Sequence, residues 1–381
     1  MTSNRTATLF GICLAAFLLL SSPATAGVDQ QKVDAAIEKG IKFLFSSGPN
    51  DEKHQDYNQN QHTMRNDELV LLTYIHAGVS PDDPKLTAIL DKILEAPLEK
   101  TYMVSIQAMA LQELDSEKYQ WRIAQCGQYL VDNQCKNGQW GYGEPLGDDI
   151  PTGMKKPKEI GTGGKETPEA GKKPEGAKKG TIFKKKISVK RRKQGPDNGD
   201  NSNSQYAALG LRACLMSGVD IPGEVIVLAG EWWIKNQNPD GGWGYYARGL
   251  GRGVDTSYGS MTAGAAGGLA ILDHAAKRPF KKDPVIQKGM DWINTNFSVT
   301  GNPGQKDTSL HHYYYLYALE RLGMLTGAEK IGTHDWYAEG AEFLLGAQQP
   351  DGSWQRMVDP TCFAILFLKR KTQPIIQTGT K

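Results

Sequence analysis

One short phrase occurs three times in this chain: Asn137-Gly138-Gln139-Trp140-Gly141-Tyr142, Asp240-Gly241-Gly242-Trp243-Gly244-Tyr245 and Asp351-Gly352-Ser353-Trp354. Each copy follows a helix-patterned stretch that ends in an amide side chain, at Gln134, Gln237 and Gln349. A second helical stretch follows each copy after a gap. A tight turn and a Trp recurring after a helix mark a repeat architecture, in which each unit buries its apolar face only by stacking on the next. The recurrence constrains the fold far more than it constrains the function.

Apolar period and turn punctuation predict six helix pairs. They cover residues 33–46 with 63–78, 84–94 with 101–114, 118–133 with 203–218, 222–236 with 256–275, 284–297 with 308–322, and 335–348 with 360–370. First members are amphipathic, as in Ala35-Ala36-Ile37-Glu38-Lys39-Gly40-Ile41. Second members are apolar or small on most sides, as in Met261-Thr262-Ala263-Gly264-Ala265-Ala266-Gly267-Gly268. A helix apolar all round is buried, so the second members form an inner ring and the first members an outer one. The expected fold is all-α: an (α/α)6 toroid. The Gly and Ala of the fourth inner helix fit either close packing or room for a ligand.

The amino terminus reads as a secretory leader over residues 1–26: Arg5, an apolar run from Leu9 to Leu20, and a small-residue cleavage site at Ala24-Thr25-Ala26. The run is too short to span a bilayer comfortably. The expected location is therefore secreted or periplasmic, with no transmembrane segment after cleavage and one toroid domain over residues 27–381. Removal of the leader takes Cys13 and leaves Cys126, Cys135, Cys214 and Cys362. Cys126 and Cys135 are near enough in sequence to form a disulfide; small buried thiols are the other reading. Residues 151–195 interrupt the third pair with 15 Lys and Arg against four Glu. So basic and Gly/Pro-rich a stretch is expected to be a disordered insertion. Its Lys184-Lys185-Lys186 and Lys190-Arg191-Arg192-Lys193 clusters suit either an anionic envelope surface or plain solvation. Nucleic acid is not an expected partner of an exported chain.

The three phrases resemble the QW motifs of squalene–hopene and oxidosqualene cyclases, a repeat shared with the β subunits of protein prenyltransferases. The resemblance covers nearly the whole chain after the leader, apart from the basic insertion. It implies that Trp140, Trp243 and Trp354, with Gln134, Gln237 and Gln349, brace one repeat against the next. Squalene cyclases carry an Asp-x-Asp-Asp acid. The local counterpart here, Asp200-Asn201-Ser202-Asn203, keeps one carboxylate. Prenyltransferase β subunits hold zinc with Asp, Cys and His. Val254-Asp255-Thr256-Ser257-Tyr258 is similar to the segment that bears the first two ligands, with Ser257 in the thiolate's place, and His311 falls near the third. No cofactor is expected beyond that incomplete zinc set.

Asp200, Asp255, Asp307 and Asp359 each precede Ser or Thr ahead of an inner helix. Asp in that place caps a helix, and in a toroid of parallel inner helices four such caps would ring the mouth of the cavity. The expected function is thus an exported, terpenoid-cyclase-like protein binding or transforming an isoprenoid or other apolar ligand. Asp255 is the candidate acid or metal ligand, supported by Asp200, His311 and Tyr258. Two alternatives are a non-catalytic scaffold binding a protein or envelope partner, and a carbohydrate lyase using the His311, His312, Tyr313, Tyr314, Tyr315 and Tyr317 cluster. An open cavity favours the isoprenoid, a plugged one the scaffold, and a groove with exposed Trp and paired acids a sugar.

Overall fold

The computed structural model describes residues 28–47, 66–147, 150, 154–156, 186–248 and 255–376. The leader, the expected helix start at residue 63, and Lys184-Lys185 lie outside the described residues. Twelve α-helices occur among them: α1 Gln30–Ser47, α2 Asp67–Ala77, α3 Pro84–Glu95, α4 Thr101–Asp115, α5 Gln120–Asn133, α6 Asn201–Met216, α7 Gly223–Lys235, α8 Gly259–Ala275, α9 Pro284–Thr295, α10 His312–Thr326, α11 Trp336–Ala347 and α12 Val358–Lys369. The even-numbered helices close a ring, α2–α4–α6–α8–α10–α12 and back to α2. The odd-numbered helices pack around it, α5 against α4 and α6, α9 against α8, α1 against α12 and α2. This is the (α/α)6 toroid that the periodicity predicts.

The burial pattern follows the two helix types. In α9 only Ile286, Gly289, Trp292 and Ile293 are buried, a single stripe. In α8 every residue from Gly259 to Asp273 is buried. Helix starts are set locally. Asp83 and Asp283 cap α3 and α9, accepting backbone N–H bonds from Lys85 and from Val285 and Ile286, with Pro84 and Pro284 next in line.

The three repeated turns make the same bonds. The indole N–H of Trp140, Trp243 and Trp354 donates to the carbonyls of Leu130, Trp233 and Leu344, ten residues back in the preceding outer helix, at 2.7, 2.9 and 2.9 Å. The backbone N–H of each Trp donates to the hydroxyl of Ser204, Thr262 or Thr361 in the next inner helix. An amide side chain then ties each turn to the following outer helix. Gln134 donates to Val225, Gln237 to Val285, and Gln348 to Ala36. The turn glycines Gly138, Gly241 and Gly352 have φ of 97°, 93° and 90°, and a Cβ there would strike the backbone of Leu228, Lys288 and Lys39. Only glycine suits both demands.

Several expectations are corrected. The third amide is Gln348, which also donates to Gly352; Gln349 reaches only the carbonyl of Ala347, at 3.4 Å. The spacing of amide, glycine and Trp in the first two copies places the brace at Gln348. Of the four expected caps, Asp200 caps α6, accepting from the Asn203 N–H. Asp255 lies ahead of the α8 start at Gly259, Asp307 bonds within its own exposed turn, and Asp359 sits inside α12. Cys126, Cys135, Cys214 and Cys362 are all free and buried. The Cys126 thiol instead faces the Gln107 amide oxygen at 3.6 Å. The far end of the insertion is docked on the toroid. Strand β1 (Ile187–Ser188) pairs in parallel with β2 (Val219–Asp220), and Val189 is buried. Arg192 pairs with the buried Asp132 at 2.9 Å, and Arg191 donates to Gln134 Oε1 at 2.6 Å. These two arginines therefore tie the end of the insertion to α5 and the first turn, Arg192 while still exposed.

The register correction has a direct test. Gln348→Leu leaves two carbonyls without their donor and should cost about 1–3 kcal/mol in denaturant unfolding. Gln349→Leu should stay within about 0.5 kcal/mol of the parent chain.

Candidate functional site

The starts of the inner helices converge at one mouth. Tyr102 of α4 lies 4.6 Å from Tyr206 of α6, ring to ring, and Tyr206 lies 5.9 Å from Tyr314 of α10. The Tyr102 and Tyr314 hydroxyls meet across the ring at 3.2 Å. Phe363 of α12 packs on Tyr314 and Tyr317, each at 5.8 Å. Behind this aromatic layer stands Arg321 of α10, only 3% exposed. Its guanidinium lies over Tyr206 at 4.8 Å and over Tyr317 at 4.2 Å. It donates to the Tyr206 hydroxyl and to Gln205 Oε1, both at 3.1 Å. Burial works against its charge, and the surrounding tyrosine hydroxyls more than offset that, so it stays a cation. What remains open beside it is a cavity of about 10 Å³, enough for one water.

Asp200 sits at the rim of this mouth, 5% exposed. Its Oδ1 accepts from the Ser202 hydroxyl at 2.6 Å and the Asn203 N–H at 2.8 Å, and its Oδ2 accepts from Asn203 Nδ2 at 2.8 Å. Burial pushes its pKa up and these donors push it down, with burial the larger effect. The Asp200 charge in turn raises the hydroxyl pKa of Tyr102, Tyr245 and Tyr258, on top of their own burial. An acid that protonates an alkene has to hold its proton, usually beside a second carboxylate. Here Ser202 and Asn203 donate to the carboxylate and offset part of the burial that favours its protonated form. The geometry makes Asp200 a helix cap before it makes it an acid.

The other candidates divide. Tyr258 immediately precedes α8 and is 8% exposed, within the field of Asp200. His311 precedes α10 in a left-handed conformation with φ of 54°, its ring 6.4 Å from Tyr314. Partial desolvation lowers its pKa, which keeps the imidazole neutral. Asp200 and Tyr258 are thus brought together, and His311 joins them through Tyr314. Asp255 belongs to the second turn, its backbone against Gly244 and its carbonyl accepting from Asn238 Nδ2 at 2.8 Å. Ser257 donates to Asp240 Oδ1 at 2.7 Å. The residue in the thiolate's place is therefore a turn ligand, and the zinc set of the prenyltransferases does not fit here. Among the described residues no three His, Cys, Asp or Glu side chains gather as a metal site. In the tyrosine cluster Tyr315 and Tyr317 are buried packing residues, and His312 bonds the carbonyl of Val299 at 2.9 Å.

No family model matches this chain, and no curated protein does. Solved structures do. One is a ligand-free variant of the type II terpene cyclase MstE from Scytonema, with a TM-score of 0.53 at 13% identity over 90% of this chain and 97% of that one. A variant in complex with its substrate, geranylgeranyl dihydroxybenzoate, gives 0.53 at 13% identity over 89% and 97%. A variant holding the product, merosterolic acid A, gives 0.50 at 13% identity over 90% and 97%. The fold is that of a terpene cyclase.

Sequence reading missed Arg321 and Gln205 within this terpenoid-cyclase-like toroid. The visible signal was Glu320-Arg321, two charges inside an otherwise apolar inner helix. It also placed Asp359 as a cap, whereas Oδ1 of Asp359 is buried with no hydrogen-bond partner among the described residues. Burial raises the Asp359 pKa to about 6, partly offset by Asn66. The folded state thus binds this proton more tightly than the unfolded chain, so stability falls as pH rises from about 4 through about 6. Asp359→Asn should raise stability at pH 7.5 by up to about 3 kcal/mol and flatten that part of the profile, read by thermal unfolding across pH 4–8.

Proposed function

We propose that this terpenoid-cyclase-like toroid binds an isoprenoid-type apolar chain at its tyrosine-lined mouth and does not cyclise one along its axis. The observation that carries this reading is Arg321, fixed between Tyr206 and Tyr317. Aromatic faces stabilise a cation, and proton-initiated cyclisation generates one on the substrate. In this chain the faces are already occupied by a cation of the protein's own. A prenylated substrate also needs a pocket of hundreds of Å³, and the axis offers about 10 Å³. Asp200, satisfied by three donors, lacks the second carboxylate that would hold it protonated.

Two features support an apolar chain as the ligand. The structural neighbours were solved with a prenylated substrate and with a cyclised product. At the mouth, Tyr102, Tyr245 and Tyr258 gather around Asp200, and such rings present apolar faces with polar edges. The three repeat tryptophans are buried, so none of them is offered to a sugar, which disfavours the lyase reading. We place the protein outside the cytoplasm on the strength of the leader pattern in residues 1–26. The lysines of the basic insertion remain the proposed contact with an anionic envelope surface, now without Arg191 and Arg192.

The test is mass spectrometry of lipid retained by the mature protein, paired with incubation with squalene and with a geranylgeranylated aromatic acid. The expected result is retention of a prenyl chain and no cyclised product, with Tyr245→Ala weakening retention about two- to tenfold. A cyclised product that Asp200→Asn abolishes would establish a cyclase instead. The filled axis is also what the scaffold reading expects, and absence of any retained or bound prenyl chain would leave that reading.

A further inference from the structure

The axis of the toroid holds a cation without an anion. Arg321 interacts with tyrosines and with Gln205, and among the described residues no carboxylate forms an ion pair with it. The adjacent Glu320 turns away, its carboxyl accepting from the Thr372 N–H and hydroxyl at 3.3 and 2.7 Å. Burial pushes its pKa to about 8 against the opposing pull of Thr372 and of the Arg321 charge, so it is not a full counter-ion to that charge at pH 7. Buried charges are compensated by a partner or an ion.

Gln205 points to where that ion sits. It is 1% exposed. A guanidinium only donates, so the oxygen of the Gln205 amide has to face Arg321 and its Nε2 is turned elsewhere. Nε2 finds no acceptor among the described residues. The amide lies over Gly264, where a side chain would collide with it. Gln205 and Arg321 both line the 10 Å³ cavity, whose other walls include Leu209, Gly267 and Leu325. The space is water-sized, one donor is orphaned, one charge is unbalanced, and the remaining walls are apolar. A water would satisfy the donor and leave the charge.

We propose that this cavity binds one chloride-sized monatomic anion, held by Gln205 Nε2 and the Arg321 guanidinium, as an internal counter-ion linking α6 to α10. The site is independent of what occupies the mouth. Thermal unfolding of the full chain in sodium chloride against sodium gluconate at equal ionic strength provides the test. The melting temperature is expected to rise with chloride and saturate, with bromide substituting. Crystals grown in bromide are expected to show an anomalous peak between Gln205 and Arg321. Gln205→Leu should raise the chloride midpoint about tenfold or more, the loss of one hydrogen bond to a charge. Gln205→Glu, which brings its own anion, should abolish the chloride response. Equal melting in the two salts, a cavity peak without anomalous signal, or a chloride response that survives Gln205→Glu would each overturn the proposal. Should either variant fail to fold, the bromide peak in the unaltered chain decides.

Discussion

The toroid depends on one small device: an indole N–H that caps the carbonyl ten residues behind it. Trp140, Trp243 and Trp354 each make that bond from a turn whose glycine allows no side chain. The bond fixes the direction in which the chain leaves an outer helix. The backbone N–H of the same Trp then binds the next inner helix through a hydroxyl, and an amide side chain binds the next outer helix. Three elements are thereby registered by one residue and its neighbours. A buried N–H and two buried carbonyls are satisfied at each turn, which unpaired would cost more than the bonds return. The ring of inner helices can be almost wholly apolar because its geometry is set by these turns on its outside.

That division explains what could be read from the sequence. Local signals delivered the helices, because Asp-Pro starts, glycine stops and the contrast between one-sided α9 and all-round α8 are properties of neighbouring residues. They failed by one residue at Gln349, where two amides stand side by side and only the distance to Gly352 and Trp354 tells them apart. The Asp residues misled for a related reason. Asp followed by Ser or Thr is a capping pattern, yet only at Asp200 does the helix begin at once. Arg321 and Gln205 meet across the ring, 116 residues apart. No local pattern reports that meeting, although a charge inside an apolar helix demands an explanation.

The mouth and the axis have separate chemistry. At the mouth a buried carboxylate accepts from one hydroxyl and from the backbone and side-chain amides of Asn203. In the axis a guanidinium is surrounded by ring faces. Most polar groups in both arrangements are met by a neighbour set in a helix, Gln205 Nε2 being the exception in the axis. The aromatic faces of Tyr206 and Tyr317 in the axis are filled by a cation that is part of the protein.

The third turn has a consequence of a different kind. It does not lead onward to a new outer helix; Gln348 reaches back 312 residues to Ala36 in α1, and Gly352 sits against Lys39. The sixth helix pair thus supplies the contact that shuts the ring on the first. Without it, the sides of α2 and α10 that α12 covers face no partner. Contacts of such long sequence separation form late, because closing the loop costs entropy before any packing repays it. Closure of the ring is consequently the most non-local step in this fold, and a toroid without its sixth pair is an open crescent with two apolar edges.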